Sequence, residues 1–290
     1  MSSVVFKLKE YGRLVRLDRP IGIYLVLWPT LWGLWIAAGG IPNTLILTVF
    51  VAGVVLMRSA GCAINDFADR KIDPHVERTA QRPIAAGTVA PKEALWIFAI
   101  LSLIAFVLVM QLNWLTILLS IPAVILAGSY PFTKRFTHLP QAYLGIAFGW
   151  AVPMSFAAVT GEVPATSWWL FLAVVLWALA YDTMYAMTDR EDDLKIGVKS
   201  TAILFGRWDR LMVGLFQLGV TMSLWIAGQK LGLSGLYLYG LLVVSAIFWG
   251  YQQWLIRERD RLRCFQAFLN NHYFGLLIFL LIVGDYLVTG

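Results

Sequence analysis

Two stretches of this chain gather side chains able to hold a divalent cation. The first contains Asn65, Asp66, Asp69 and Asp73; the second contains Asp182, Asp189, Asp192 and Asp193. Residues four and seven apart share a helix face, so Arg58, Asn65, Asp69 and Asp73 predict one stripe and Asp182, Asp189 and Asp193 another. Asp66 and Asp192 sit beside these stripes. Carboxylates so close repel unless a cation joins them. Asp and Asn oxygens without a His or Cys cluster are hard ligands, which suit Mg²⁺ better than zinc or copper. Mg²⁺ usually combines one or two carboxylates with substrate phosphates, so two such clusters facing each other predict a clamp for a diphosphate. Arg70, Lys71, Arg78, Arg82, Lys134, Arg135, Lys195 and Lys199 lie in the same loops, available to neutralise the rest of its charge.

Taken singly, an Asp near a helix end is more often a cap or a solvated charge. Concentration argues otherwise: Asp66, Asp69, Asp73, Glu77, Asp189, Glu191, Asp192, Asp193 and Asp209 make up more than half of the 17 carboxylates. Asp182 follows a run of apolar residues, where an ionisable group is costly and marks function. Arg58 follows the apolar stretch 49–57 and either pairs with Asp66 or Asp69 or awaits an anionic substrate.

The elements that must carry these groups are membrane spans. Of the 290 residues 59% are hydrophobic and 14% charged, with a mean hydropathy of +0.72. That composition excludes a water-soluble globule, and 13 Trp, 17 Phe and 11 Tyr beside two Cys exclude collagen, a disulfide scaffold and a disordered chain. Stretches 20–57 and 94–133 carry no charge and are each long enough for two spans of about 20 residues. Gly39-Gly40-Ile41-Pro42-Asn43 and Gln111-Leu112-Asn113 supply the turns. Stretches 136–161, 163–181, 211–229, 231–256 and 264–284 add one span each, giving an all-α polytopic membrane protein with nine transmembrane helices. The first run is too long for a signal peptide.

All of the 23 basic residues except Arg58 and Lys230 fall in the N-terminal segment or in even-numbered loops, which places that face, with the acidic motifs, in the cytoplasm. They bracket spans and never gather on a soluble domain, so the net charge of +6 speaks for a lipid bilayer and not for nucleic acid. Residues 4–17 read as a basic amphipathic helix on the cytoplasmic leaflet, within an interfacial segment 1–19 of a single membrane-embedded domain, 1–290. Cys62 and Cys264 read as packing residues. The Asp-x-x-x-Asp spacing recurs 120 residues on, a hint of duplication with parallel halves.

A cation–diphosphate site at the mouth of a lipid-embedded cavity calls for a substrate with a charged head and a hydrocarbon tail. An allylic diphosphate fits, because its ionisation gives a resonance-stabilised carbocation. Tyr130, Tyr181 and Tyr185 are the nearest candidates to shield that cation; the alternative for each is packing or an interface belt.

The motif Asn65-Asp66-Phe67-Ala68-Asp69-Arg70-Lys71-Ile72-Asp73, followed by Arg82-Pro83, resembles the first signature of the UbiA-type intramembrane aromatic prenyltransferases. The stretch from Tyr181-Asp182 through Asp189-Arg190-Glu191-Asp192-Asp193 to Gly197-Val198-Lys199-Ser200-Thr201 is similar to the second. Tyr130-Pro131-Phe132-Thr133-Lys134-Arg135, Thr137-His138-Leu139-Pro140-Gln141, Arg19-Pro20-Ile21-Gly22 and Leu27-Trp28-Pro29-Thr30 most resemble members acting on 4-hydroxybenzoate in the ubiquinone pathway. The resemblance implies nine helices around a central cavity with cytoplasmic cap loops, two Mg²⁺ ions, and transfer of a polyprenyl chain from polyprenyl diphosphate to the ring carbon ortho to the hydroxyl of an aromatic acid. By motif position Asp69 and Asp73 would hold one ion and Asp189 and Asp193 the other, with Asn65 assisting. Arg135, with Lys134, would bind diphosphate or stabilise its departure, and Arg58 would meet the aromatic carboxylate. Asn65, Asp66, Arg70, Tyr130, Asp182, Tyr185, Asp192 and Lys199 complete the candidate substrate site. The competing class is a cation- or proton-coupled transporter, suggested by Asp182 and Arg58 within spans; transport sites usually lie near the bilayer midplane, whereas most of these acids fall at one edge.

Overall fold

A computed structural model describes residues 3–76 and 78–289, so Glu77 lies outside the described residues. These form helices α1 (Ser3–Leu14), α2 (Ile21–Ala38), α3 (Thr44–Asp69), α4 (Pro91–Val109), α5 (Trp114–Thr133), α6 (Pro140–Gly149), α7 (Ala151–Thr160), α8 (Ser167–Ile196), α9 (Thr201–Phe205), α10 (Asp209–Lys230), α11 (Gly235–Leu255) and α12 (Arg261–Thr289), with no strand among them. Nine helical stretches among the described residues are long and apolar enough to cross a membrane; α6 with α7, and α9 with α10, each count as one.

The turns fall where the sequence places them. Gly39 ends α2 in the left-handed region at φ 64°, a conformation that costs glycine little, and Asn43 caps α3 by accepting the Leu45 N–H. Asn113 caps α5 in the same way through Thr116 N–H. Buried Asp285 on α12 accepts the backbone N–H groups of Ser234 and Tyr237, tying the start of α11 to the last span.

The core centres on α8, whose Ala173, Trp177, Ala178 and Met184 are fully buried. Trp177 stacks on Trp32 of α2 at 5.4 Å and donates to the Asn271 side chain of α12 at 2.9 Å. Burying these indole N–H groups with partners avoids an unsatisfied donor in an apolar interior. Small residues let the helices approach: a β-carbon on Gly145 of α6 would lie 2.8 Å from the Val175 carbonyl oxygen of α8. By contrast α4 and α5 leave Trp96, Leu103, Trp114 and Ile125 at 60% exposure or more, the face expected toward lipid.

The basic amphipathic segment is helical over Ser3–Leu14; one face docks onto the protein, while Val4, Val5, Phe6 and Leu8 stay exposed. Leu14 is wholly buried, Glu93 of α4 takes Lys7 at 2.9 Å and Tyr11 at 2.7 Å, and Arg13 donates to the Gln81 carbonyl at 2.9 Å. Just beyond it, Arg16, at φ 60°, reaches Asp66 of α3 at 2.7 Å.

Because Gly145 packs directly on α8 backbone, Gly145→Val should destabilise the protein by about 1–3 kcal/mol, the usual cost of overpacking. Thermal unfolding in detergent would read this as a lower midpoint; an unchanged midpoint would contradict the α6–α8 contact.

Candidate active site

The C-terminal ends of α3 and α8 bound a cavity of about 150 Å³, lined by Asn65, Asp69, Asp73, Asp182, Asp189 and Asp193. The two acidic motifs therefore meet across one space, as their spacing predicts.

The first motif is not one helical stripe. Helix α3 stops at Asp69, and Asp73 opens a separate short turn, Asp73–His75. Pro74 explains the break: it lacks the N–H for the next helical bond and disfavours helical backbone at Asp73. The turn folds back, so that Asp69 and Asp73 are still both buried beside the cavity. The second motif is continuous, since α8 runs unbroken to Ile196. Its end is fixed by Arg190, which pairs at 2.9 Å with the fully buried Asp209; Arg259 pairs with the same carboxylate at 2.7 Å.

Each motif is held by cations from neighbouring segments. Lys134, at the end of α5, contacts Asp69, which also accepts from Asn65 at 3.2 Å. Arg82 pairs with Asp73 at 3.0 Å and with Asp66 at 3.3 Å. Arg78 grips Asp189 through Nε at 3.0 Å, contacts the Tyr185 hydroxyl, and lies 4.5 Å over the Tyr185 ring. Burial pushes the Asp73 carboxyl up to about 6, against the pull of Arg82 and helped by the charges of Asp69 and Asp66. Burial disfavours the Arg82 charge, but Asp66 and Asp73 outweigh it and hold the guanidinium above its ordinary value. Two carboxylate oxygens, Asp66 Oδ2 and Asp69 Oδ1, are buried with no hydrogen-bond partner. Among the described residues no three acidic, His or Cys side chains already converge into a ready ion-binding group.

A second cavity of about 750 Å³ adjoins the first, the two sharing Asn65, Arg78, Arg82, Tyr130, Asp182 and Tyr185 along their boundary. Away from the acids its walls turn apolar, with Phe50, Met57, Phe106, Val124 and Phe148. Arg58 lines it too. The guanidinium pairs with neither Asp66 nor Asp69: Nη1 donates to Cys62 Sγ at 2.9 Å, and Nε is buried without a partner. The expected ion pair with Asp66 or Asp69 is absent among the described residues.

Three candidates lie outside both cavities. Arg70 donates to the Phe67 carbonyl at 2.7 Å, and exposed Arg135 donates to the Ala68 carbonyl at 2.6 Å; neither lines a cavity. Both cap the end of α3, whose last carbonyls lack helical partners. Asp192 faces away as well, paired with Arg261 at 3.3 Å and Lys195 at 3.6 Å, because one residue along a helix turns the side chain off the Asp189–Asp193 face. Asp66 lines only the larger cavity and is occupied by Arg16 and Arg82. Lys199 lines the smaller cavity, with Nζ 3.4 Å from the Phe136 carbonyl oxygen. Sequence reasoning missed Arg16, whose partner is 50 residues away, and Gln141, which lines the acidic cavity and accepts the Thr201 N–H at 3.1 Å. For Gln141 the signal was present, one residue after the helix-starting Pro140.

Residues 26–280 match the UbiA prenyltransferase family. The chain belongs to this family. It is 60% identical over 288 residues to a 4-hydroxybenzoate octaprenyltransferase of Methylococcus capsulatus, covering 99% of this chain and 98% of that one. Among solved structures, a UbiA homolog from Aeropyrum pernix K1 is 27% identical with a TM-score of 0.77, covering 91% of this chain and 97% of the other. A UbiA homolog from Archaeoglobus fulgidus bound to GPP and Mg²⁺ is 17% identical with a TM-score of 0.69, covering 94% and 99%. The latter likeness shows the shared fold. Membership in a family of prenyltransferases removes the transporter reading and makes this a multi-pass membrane enzyme.

Since Lys134 and not Arg135 faces the acids of this UbiA enzyme, Lys134→Ala should lower prenyl transfer by about tenfold or more, and Arg135→Ala by less than about threefold. Steady-state rates of the two purified variants check this; the reverse order would contradict the assignment.

Proposed function

We propose that this enzyme transfers a polyprenyl chain from polyprenyl diphosphate to the carbon ortho to the hydroxyl of 4-hydroxybenzoate, a step of ubiquinone biosynthesis, with Mg²⁺ as its metal. The observation that carries the reading is the joining of two cavities, one walled by both acidic motifs and the other with largely apolar walls and Arg58 among its lining residues. The name of the Methylococcus relative supports the acceptor.

The residues fit a divalent ion. Asp69 Oδ1 is a buried acceptor with no partner, and Asp73, Asp189 and Asp193 add only hard oxygen donors to the same cavity. Asp69 and Asp73, with Asn65, would hold one Mg²⁺, and Asp189 and Asp193 the other. When bound, Mg²⁺ offsets the diphosphate charge and favours its departure. Lys134, Arg78 and Arg82 stand at the same cavity and bind the diphosphate oxygens by charge-assisted hydrogen bonds. Tyr130, Tyr181 and Tyr185 turn rings toward the joined space, where they shield an allylic cation and exclude water.

In the reaction the allylic C–O bond breaks and pyrophosphate leaves with the electron pair. The ring carbon ortho to the hydroxyl forms the new C–C bond and then loses its proton. Asp182, on the boundary of both cavities and without an ion-pair partner among the described residues, is the base placed to accept it. The apolar walls take the hydrocarbon tail, and Arg58 takes the acceptor carboxylate. We read the chain as one membrane-embedded domain in the bacterial inner membrane, its basic face and both acidic motifs on the cytoplasmic side.

Purified protein with Mg²⁺, a labelled polyprenyl diphosphate and a panel of aromatic acids should yield ortho-prenylated 4-hydroxybenzoate; another product would replace the proposed acceptor. In that assay Asp69→Ala and Asp189→Ala should each lower Mg²⁺-dependent transfer by about 100-fold or more while the protein stays folded in detergent. Full activity in either variant would remove the two-ion assignment.

Reporter domains fused within 71–76 and after Gly197 should score as cytoplasmic. Periplasmic signals would overturn the charge-based orientation.

A further inference from the structure

A guanidinium inside a membrane-embedded cavity is costly unless paired, yet no carboxylate lies within ion-pair distance of Arg58 among the described residues. What surrounds it is a seat. Cys62, four residues on and therefore on the same face of α3, accepts from Nη1 at 2.9 Å. The Phe148 ring of α6 lies 5.9 Å from the guanidinium carbon. On the third side is Gly22, in the first turn of α2. A β-carbon there would lie closer than 3 Å to Nε, Cζ and Nη2 of Arg58, so a side chain at position 22 would displace the guanidinium. Gly22 has ordinary helical backbone, so its lack of a side chain serves this close approach and no turn.

We infer that Gly22 and Cys62 are positioning residues that fix the depth and tilt of the Arg58 guanidinium, and through it make the enzyme choose an aromatic acid over a neutral phenol. The inference rests on the proposed role of Arg58 as the acceptor's carboxylate anchor. Gly22 opens the space for the guanidinium to lie against α2, and the thiol holds one of its nitrogens. Nε is left unpartnered, and Arg58 lines the chamber that the acceptor enters. An incoming carboxylate supplies a counter-charge within ion-pair distance, and its charge-assisted hydrogen bonds depend on the orientation that the seat sets. A neutral ring of the same shape gains nothing from it.

The test is steady-state kinetics of the full-length enzyme in detergent with Mg²⁺, comparing 4-hydroxybenzoate with its neutral amide, 4-hydroxybenzamide. Gly22→Ala and Cys62→Ala should each raise KM for the acid by about tenfold and shrink the acid-over-amide preference by a similar factor, with KM for polyprenyl diphosphate held within about twofold. Cys62→Ser, which keeps an acceptor at the same place, should recover most of the loss. Should Gly22→Ala not fold, the two Cys62 variants decide the matter alone. If Arg58→Gln raises the acid KM but Gly22→Ala and Cys62→Ala leave it unchanged, or raise both KM values together, the seat is overturned while the anchor stands. If Arg58→Gln itself leaves the acid KM unchanged, the anchor falls and the seat with it.

Discussion

Carboxylates brought from two separate helices to one buried space repel each other, and much of this fold is arranged around the cations that hold them there. Asp69, Asp73 and Asp189 are answered by Lys134, Arg82 and Arg78, which come from the end of α5 and from the segment after α3. Buried pairs of this kind recover little net stability, because each ion gives up its hydration. Their value here is geometric. Each salt bridge fixes a carboxylate rotamer toward the cavity before any substrate arrives, and the basic partners stand where a diphosphate would meet them. The supply of positive charge is incomplete: Asp193 has no ion-pair partner among the described residues, and Asp69 keeps an unpartnered oxygen. Carboxylates from both motifs thus line one cavity, with their basic partners around them.

The membrane frame was legible because lipid leaves few alternatives. Backbone polar groups in hydrocarbon must be satisfied within the segment, so long uncharged runs are helices, and Gly39 or Asn113 can only be turns. The facing of the two motifs was legible as well, through charge and topology together. Local geometry was less so. The stripe from Arg58 to Asp73 assumed a helix that Pro74 ends, and the proline stood in the sequence to be read. Which of two adjacent cations points inward depends on one residue of helical phase at the end of α5, and there Lys134 took the place expected of Arg135. The free carbonyls at the end of α3 drew Arg135 and Arg70 instead.

Longer-range pairings left no local trace. Arg16 meets Asp66 only because α1 folds back across the ends of α3 and α4, a docking set by the buried Leu14 and by Glu93. This pairing ties the N-terminal segment to the acidic motif, since Asp66 also shares Arg82 with Asp73. A basic amphipathic stretch does not show in sequence which of its residues meet protein, because those partners are tens of residues away.

Helix α3 carries the whole polarity gradient of the site on one rigid element. Phe50, Val54 and Met57 wall the apolar chamber, Arg58 follows, and Asn65 and Asp69 open onto the acidic cavity about two and three turns further. Eleven residues from Arg58 to Asp69 correspond to roughly 16 Å of helix axis at the usual rise per residue. In the proposed reaction that interval contains the acceptor ring and the reacting end of the prenyl chain, between Arg58 at one end and the diphosphate at the other. No break in α3 allows it to lengthen, so the reach between the two anchors is set by a backbone and not by side chains. The proposed tail site meets no such limit, because it is a chamber with apolar walls beside α4 and α5, which leave large apolar side chains exposed. The fold therefore constrains the small, charged end of the reaction tightly and the hydrocarbon end hardly at all.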